Sequence, residues 1–425
     1  MKNKISNLKE SGLLQTFALT VVIALAALIG GCASRTVSKP SVETKDSDVR
    51  KAETVKATPA SMPTWLGNPA RTFYGTGPWP ARPLEILWSF QTSYTTGRLH
   101  PDAAWGGSGW PGQPAVVGDR VYFGSADSYV YCLKRDDGSL IWKYKTTDSA
   151  KSSPAIEGDR LVIGNLDHTV YCLNTNDGSL VWKYQTGFET DSSPAIVNGR
   201  VYIGGEDHNY YCFDLKDGRV IFKQPLNGSV EGGSTVVDGR IYVGTEAGDL
   251  FCLDAEDGSV VWKSRIGADS DSTPAVVNGL VYTAAEDGIV RCYRQSNGEL
   301  VWTYKAEGGL RNKDGSGFWA SPIVASDRVY IGSNNGKVYC LAADTGKLVW
   351  EHQAHAPIWG TGPVVDGRVV FGDKSGWLGI LSADDGKLIQ EVKLGDNINS
   401  TPVVLDGRIY VGSTNAHFYC LGAKE

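Results

Sequence analysis

The cysteines of this 425-residue chain recur at a nearly constant interval, and this spacing limits the possible folds more than any other feature. Beyond Cys32 they are separated by 40, 40, 40, 40, 48 and 80 residues, and they are Cys132, Cys172, Cys212, Cys252, Cys292, Cys340 and Cys420. The interval of 80 contains a further repeat in which Ile380 takes the cysteine position. Self-similarity with a period near 40 residues is typical of repeat architectures. We therefore predict eight copies of one structural unit.

Each repeat contains three turn signals that separate short apolar segments. Asn198-Gly199, Glu286-Asp287-Gly288 and Asp257-Gly258 are examples of the three turns. Asn-Gly and Asp-Gly accept the positive φ angles of the tight turns that join adjacent antiparallel strands. Three turns divide a repeat into four strands, which is the content of one propeller blade. The sequence thus predicts an all-β fold, an eight-bladed β-propeller of four-stranded antiparallel blades.

A tryptophan series predicts how the ring closes. The last strand of a repeat carries Trp142, Trp182, Trp262, Trp302 or Trp350, with Phe222 and Gln390 as substitutes. The eighth tryptophan, Trp88, precedes the first full repeat, and the last repeat stops near Leu421 without a strand of this kind. We expect the N-terminal strand to join the C-terminal blade, because closure removes exposed sheet edges.

The N-terminus has the features of an export signal. Lysines precede an apolar run at residues 17–28, and Leu28-Ile29-Gly30-Gly31-Cys32 follows. Small residues before a cysteine resemble the lipobox of bacterial lipoproteins, although Ile29 departs slightly from that pattern. The resemblance implies cleavage before Cys32 and a lipid on its thiol; an ordinary secretory signal with an incidental cysteine is the alternative. Ala33 favours the outer membrane, facing the periplasm, if the organism is Gram-negative.

The amino-acid composition of the remaining chain separates a polar segment from the part that can form a core. Residues 33–63 contain no aromatic residue and are rich in polar side chains, so they cannot bury a core. The predicted domains are a signal peptide at 1–31, a disordered tether at 32–64, an extended segment packed on the propeller at 65–83, and the propeller at 84–425.

The net charge of −6 leaves no basic excess for nucleic-acid binding. The periodic cysteines occupy equivalent positions in different blades, which predicts buried free thiols rather than disulfides.

The segment from Cys252 to Trp262 resembles the tryptophan-docking repeat of PQQ-like propellers, with Cys at a position where that family usually has Ala. The resemblance extends from Leu84 to Leu421 and has two branches. Quinoprotein dehydrogenases hold PQQ with Ca²⁺ and carry a pair of adjacent cysteines, and this sequence has no Cys-Cys. BamB-like lipoproteins of the outer-membrane assembly machinery are non-catalytic, and their lipobox, tether and ring of this length match the chain.

Candidate site residues stand three positions before the proline position of each repeat. They are Pro111, Lys151, Asp191, Glu231, Asp271, Trp319, Trp359 and Asn399, and they are expected to circle one mouth of the channel. Two insertions, at residues 92–109 and 305–317, interrupt the period nearby. Three consecutive acidic residues followed by two tryptophans predict a pocket for a cationic or sugar-like ligand, or for a loop of a partner. Solvated loop residues whose tryptophans pack on neighbouring blades are the alternative.

The sequence therefore favours a membrane-anchored, extracytoplasmic lipoprotein that acts as a protein-binding scaffold in the cell envelope, with outer-membrane protein assembly as the candidate role. Its predicted contacts are the membrane, through Cys32, and a protein partner, with no cofactor. A dehydrogenase-like enzyme or sensor that uses PQQ with Ca²⁺ at the channel mouth is the alternative. The sequence contains no Gly-x-Ser-x-Gly and no phosphate-binding glycine loop, and an enzyme is the less favoured class.

Overall fold

Eight four-stranded antiparallel sheets form the ring in the computed structural model, which describes residues 61–72, 75–95, 105–106, 112–307 and 317–424. This confirms the predicted eight-bladed β-propeller. Cys32, the signal peptide and most of the tether lie outside the described residues. Within the described part of the chain, no helix is long and apolar enough to cross a membrane.

The strands are numbered in chain order. Those before and in blade 1 are β1 Glu85–Gln91, β2 Tyr94–Thr95, β3 Trp105–Gly106, β4 Ala115–Val117, β5 Arg120–Gly124, β6 Tyr129–Lys134 and β7 Leu140–Lys145. Blades 2 and 3 contain β8 Ala155–Glu157, β9 Arg160–Asn165, β10 Thr169–Asn174, β11 Leu180–Gln185, β12 Ala195–Val197, β13 Arg200–Gly205, β14 Asn209–Asp214 and β15 Val220–Pro225. Blades 4 and 5 contain β16 Thr235–Val237, β17 Arg240–Gly244, β18 Asp249–Asp254, β19 Val260–Arg265, β20 Ala275–Val277, β21 Leu280–Ala284, β22 Ile289–Arg294 and β23 Leu300–Lys305. Blades 6, 7 and 8 contain β24 Ile323–Ala325, β25 Arg328–Gly332, β26 Lys337–Ala342, β27 Leu348–Gln353, β28 Gly360–Val365, β29 Arg368–Gly372, β30 Trp377–Ser382, β31 Leu388–Lys393, β32 Val403–Leu405, β33 Arg408–Ser413 and β34 His417–Gly422.

Blade 8 is completed by the first strand of the chain. Strand β1 pairs antiparallel with β34, and Trp88 stands opposite Cys420 in this register. The ring closure predicted from the tryptophan series is therefore confirmed. From blade 2 to blade 8, the first strand of each blade contacts the first strand of the next, so these strands line the central channel.

Each tryptophan of the series joins its blade to the next one. The indole Nε1–H of Trp142 donates to the carbonyl of Thr175 at 2.9 Å, and its ring lies against Gly178, which has φ of 74°. A Cβ built on Gly178 would be 2.6 Å from Cε3 of the ring, so a side chain would displace the indole. Trp88 makes the same contacts with the carbonyl of Arg135 and with Gly138 across the closure. The turn glycine and the tryptophan are thus two halves of one contact.

Gln390 replaces tryptophan where blade 7 meets blade 8. Blade 8 has no turn before its outer strand, because that strand, β1, comes from the other end of the chain. Gln390 instead donates to the carbonyl of Leu84 at 2.9 Å, and its Oε1 accepts from the Leu84 backbone N–H at 3.0 Å. The irregular residue in the series therefore marks the ring closure.

All seven periodic cysteines are buried free thiols, as the repeat spacing predicted. Their environments are apolar; Cys292, for example, lies in a cluster with Tyr282 and Val290. Burial raises the pKa of the Cys132 thiol to about 12, so the neutral form prevails. In these positions cysteine acts as a small core residue, as Ile380 does in blade 7.

Residues 61–72, which we call the plug, occupy the central channel. Met62 exchanges two backbone hydrogen bonds with Val116 of β4, and the carbonyls of Pro63 and Pro69 accept from Ile156 of β8 and Val236 of β16. On the other side of the ring, Leu66 packs with Ile323 and Ile358. The channel is therefore filled by the chain itself.

Arg71 holds the plug together. Its side chain is 0% exposed, and its guanidinium donates to the carbonyls of Ser234 at 2.9 Å and Trp65 at 2.5 Å, and to Oγ1 of Thr64 at 3.1 Å. Burial lowers the pKa of Arg71 to about 9. Since a buried cation is costly unless its hydrogen bonds are satisfied, this set of acceptors fixes the fold of the plug.

Candidate functional site

A cavity of about 320 Å³ opens at the end of the channel where the chain enters the first strands of the blades. We call this cavity the cup. Six of the residues predicted at the channel mouth line it, namely Lys151, Asp191, Glu231, Asp271, Trp319 and Trp359. Trp65 of the plug also lines the cup, so the cup is closed on the side of the channel.

Two other predicted mouth residues are not among those that line the cup. Asn399 is completely buried, and both polar atoms of its side-chain amide lack hydrogen-bond partners among the described residues. Pro111 lies outside the described residues, as do most of the two insertions. Gly112, which precedes β4, also lines the cup, so the described lining comes from blades 1 to 7 and from the plug.

Hydroxyl groups hold the loops that carry the cup residues. Ser152 Oγ donates to the carbonyl of Ser192 at 2.9 Å, and Ser192 Oγ donates to the carbonyl of Gly232 at 2.9 Å. Gly232 allows a close approach, because a Cβ there would be 2.4 Å from the carbonyl oxygen of Asp271. These contacts link each loop to the next blade, so the side chains that precede them are held at defined positions around the mouth.

The sequence analysis missed a second set of acidic residues. Glu206, Glu246 and Glu286 stand fifteen positions after Asp191, Glu231 and Asp271 in three consecutive repeats. Glu286 and Asp269 line the cup, while the carboxyl group of Glu246 interacts with that of Glu231 and raises its pKa. The signal was present as a second triplet with the same period, but its placement beside the first triplet depends on the fold of the blade.

Burial makes the cup a proton-binding site. Desolvation raises the pKa of Glu206 to about 8, and the carboxyl groups of Asp191 and Glu189 add to this effect. Desolvation and the hydrogen bond with Glu246 raise the pKa of Glu231 far above its usual range. Burial and the neighbouring carboxyl group of Asp269 raise the pKa of Asp271 well above its usual value. Several carboxyl groups of the cup are therefore protonated at neutral pH.

Lys151 offsets part of this negative charge. Its ammonium lies 3.7 Å from Oδ2 of Asp191. The pKa of Asp191 is nevertheless raised, because desolvation outweighs the attraction of Lys151. Asp191 Oδ1 has no hydrogen-bond partner among the described residues.

An aromatic wall faces the acidic side of the cup. The rings of Trp319 and Trp359 lie with centroids 4.3 Å apart, and Nε1–H of Trp319 donates to Glu286 Oε1 at 2.8 Å. The ammonium of Lys374 is 3.5 Å from the ring centroid of Trp359, a cation–π contact. Burial lowers the pKa of Lys374. At one edge of the cup, the two tryptophans thus contact each other, and they also contact the carboxyl group of Glu286 and the ammonium group of Lys374.

The cup residues do not suit PQQ. PQQ is a polyanion, and carboxyl groups on three consecutive blades would face it, with Lys151 and Lys374 as the cations among the described residues of the site. Across the described residues, no group of three or more His, Cys, Asp or Glu side chains has an arrangement that could hold a metal ion. His168 and His208 lie in turns with φ of 65° and 63°, and His355 pairs with Glu391 at 3.0 Å. These histidines are not part of the cup lining.

The cup predicts an unusual dependence of stability on pH. Glu206 binds a proton up to about pH 8 in the folded protein, whereas an unfolded glutamate releases it near pH 4.5. The folded state then binds more protons, so the free energy of unfolding falls as pH rises from about 5 to 8, by about 2 kcal/mol or more. Chemical denaturation at a series of pH values measures this slope. Glu206→Gln should reduce this slope, whereas Asp384→Asn, at an exposed residue on the opposite face, should not; a free energy of unfolding that rises with pH contradicts the prediction.

Comparison with known proteins places the fold among PQQ-like propellers. A family model described as "Beta-alanine-activating enzyme, beta-propeller" matches residues 155–423, more than half of the chain. The crystal structure of BamB from Moraxella catarrhalis is similar with a TM-score of 0.65 and 19% identity, over 81% of this chain and 99% of that one. The structure of a europium-containing methanol dehydrogenase is similar with a TM-score of 0.73 and 15% identity, over 87% of this chain and 99% of that one.

A quinohemoprotein alcohol dehydrogenase from Comamonas testosteroni is similar with a TM-score of 0.70 and 14% identity, over 86% of this chain and 81% of that one. No curated protein matches the sequence. At these identities the structural similarity establishes the fold alone. Because one fold carries many functions, the function has to be argued from the cup and from the sequence.

Proposed function

Because the chain belongs to the propeller family described as the beta-propeller of beta-alanine-activating enzyme, and because its cup suits cations rather than PQQ, we propose that it is a non-catalytic binding scaffold of the cell envelope. In this proposal the protein is anchored by a lipid on Cys32 and presents the face that carries the cup to a protein partner. The observation that carries the proposal is a cup that is closed on the side of the channel and whose acidic and aromatic lining suits the binding of a cation.

Two further observations support this function over a dehydrogenase-like one. The lipobox resemblance at Leu28–Cys32 implies an envelope lipoprotein, and the similarity to BamB agrees with such a layout at the level of the fold. The enzyme alternative requires PQQ in the cup, where its carboxylates would lie beside the carboxyl groups of Glu231 and Asp271 and would be repelled by each of these groups that ionises. Outer-membrane protein assembly is the specific role that we propose for the scaffold.

Affinity capture of the full-length protein from membranes tests the role. Barrel-assembly components are expected with the wild-type protein and are expected to be lost with Cys32→Ser, which cannot be lipidated. Recovery of the protein alone, or a quinone absorption band at one equivalent per chain, contradicts the scaffold proposal. An exposed-site control, Asp384→Asn, should capture the same components as the wild type.

A further inference from the structure

The cup contains far more acidic than basic groups. The carboxyl groups that line it or interact with its lining belong to Glu189, Asp191, Glu206, Glu231, Glu246, Asp269, Asp271 and Glu286. Among the residues that the structure describes, Lys151 and Lys374 are the cations at the site, and Arg71 lies behind Trp65 in the plug. Charge of one sign concentrated in a partly buried space is unfavourable unless protons or a ligand neutralise it.

Two polar groups in the lining lack a protein partner. The side chain of Asp191 is 9% exposed, and its Oδ1 accepts no hydrogen bond from the described residues. Trp65 is also 9% exposed, and its indole Nε1–H donates no hydrogen bond within the described part of the chain. One group is an acceptor and the other is a donor, so a ligand that satisfies both needs a hydrogen-bond donor and a hydrogen-bond acceptor.

The aromatic wall shows which kind of cation the cup accepts. The alkylammonium group of Lys374 already lies over the ring of Trp359 at 3.5 Å. The second indole, Trp319, is beside it and is held by Glu286. Indole rings bind alkylammonium groups through cation–π attraction and pack against their methylene chains.

The carboxyl groups are spread over the loops of blades 3, 4 and 5 rather than gathered around one point. In the part of the chain that the structure describes, no three acidic, histidine or cysteine side chains are arranged to hold a metal ion. A spread of charge suits an elongated organic cation, and a volume of about 320 Å³ has room for a side chain with a short piece of backbone.

We infer that the cup receives a lysine side chain from a short basic segment of the partner protein. The ammonium lies among Asp191, Glu231 and Asp271, the methylene chain packs on Trp319 and Trp359, and a backbone carbonyl of the segment accepts from Trp65. The inference rests on the proposed scaffold function and identifies the surface that the partner contacts.

Binding of this cation displaces protons from the cup. Burial holds Glu206, Glu231 and Asp271 in the protonated form, and an ammonium among them favours their ionised form. The affinity for lysine should therefore rise with pH towards about 8, where Glu206 ionises. Proton release is also measurable directly, as a binding heat that depends on the ionisation heat of the buffer.

Calorimetric titration of the full-length protein with a synthetic capped peptide, Gly-Lys-Gly-Lys-Gly, tests the inference. Binding with proton release is expected, and a peptide with glutamine in place of lysine should bind at least tenfold more weakly. Glu231→Gln and Asp271→Asn should each weaken binding by about tenfold. Asp384→Asn removes a carboxylate from the opposite face and should leave binding unchanged. Thermal unfolding of each variant verifies that the ring is intact.

Other probes separate the sources of an ammonium group. Spermidine that binds more tightly than the lysine peptide would show that the cup takes a free polyamine and would overturn the inference. Tight binding of Ca²⁺ alone, or peptide binding that Glu231→Gln and Asp271→Asn leave unaltered, would overturn it as well.

The inference and the scaffold function can fail separately. If membrane capture recovers the same partner with the Glu231→Gln/Asp271→Asn double variant as with the wild type, the scaffold role stands and the cup is not its contact. If the lysine peptide binds the cup but capture recovers the protein alone, the cup binds a basic segment and the scaffold role is contradicted.

Discussion

Replacing Gly138 with alanine should lower the free energy of unfolding by about 3 kcal/mol. Gly138 has φ of 70°, where a residue with a Cβ is strained by about 1 kcal/mol. The added Cβ would also lie 2.5 Å from Cε3 of Trp88, so the indole that closes the ring must move, at a further cost of about 2 kcal/mol. Equilibrium denaturation measures the change.

Gly118 in the same blade provides a matched control. Its φ is 60°, but nothing lies within 4 Å of a Cβ built there. Gly118→Ala should therefore cost about 1 kcal/mol, which is the backbone strain without the clash. Equal effects of the two substitutions would contradict the contact between the turn glycine and the tryptophan.

A double-mutant cycle isolates the contact further. Trp88→Ala removes an indole that is 9% exposed and should itself cost about 3 to 5 kcal/mol. In that background Gly138→Ala should cost no more than Gly118→Ala, because no ring remains to be displaced. A coupling energy near zero would show that Trp88 does not depend on the glycine.

Replacing Arg71 with methionine should release the plug. Methionine keeps much of the apolar stem but leaves the carbonyls of Trp65 and Ser234 without their donor. Two buried unsatisfied carbonyls cost about 3 kcal/mol together, which corresponds to a rise of about a hundredfold in local opening. Because the plug can detach while the blades remain folded, the effect is expected in local exchange rather than in global unfolding.

Hydrogen exchange gives direct reporters of the plug. The backbone N–H groups of Val116, Ile156 and Val236 donate to Met62, Pro63 and Pro69, so their exchange should accelerate together by about a hundredfold in Arg71→Met. Arg71→Lys keeps the charge but cannot form the same set of hydrogen bonds, and it should have an intermediate effect. The Trp182 indole N–H, which donates to Leu215 within the ring, is the control. Unchanged exchange at the three reporters would show that Arg71 does not fix the plug.

Periodic features of the chain predicted the fold correctly. Equivalent positions in a repeat have equivalent surroundings, so the cysteine spacing predicted both eight blades and free thiols. Trp88 and the missing final strand predicted the pairing of β1 with β34. Gln390 was recognised as a substitute, but its role at the closure required the observed contact with Leu84.

Non-periodic features could not be placed in the same way. The plug has no counterpart in the repeats, so nothing in its sequence showed that Met62 and Pro69 pair with the first strands of different blades. The sequence predicted only that the segment from Trp65 packs on the propeller, and the structure places Trp65 in the lining of the cup. Asn399 occupies the equivalent position in its repeat and yet is absent from that lining, because the local packing differs between blades.

The sequence by itself determined the number of blades, the strands, the ring closure and six residues at one mouth of the channel, since each follows from a period that the chain repeats. The tertiary structure alone decided that the channel is filled, that Trp65 closes the cup, and that Glu206, Glu246 and Glu286 join the first acidic triplet. These features depend on contacts between residues far apart in the chain and on the burial that those contacts create. Burial is also what converts a row of ordinary loop carboxylates into a group that holds protons at neutral pH.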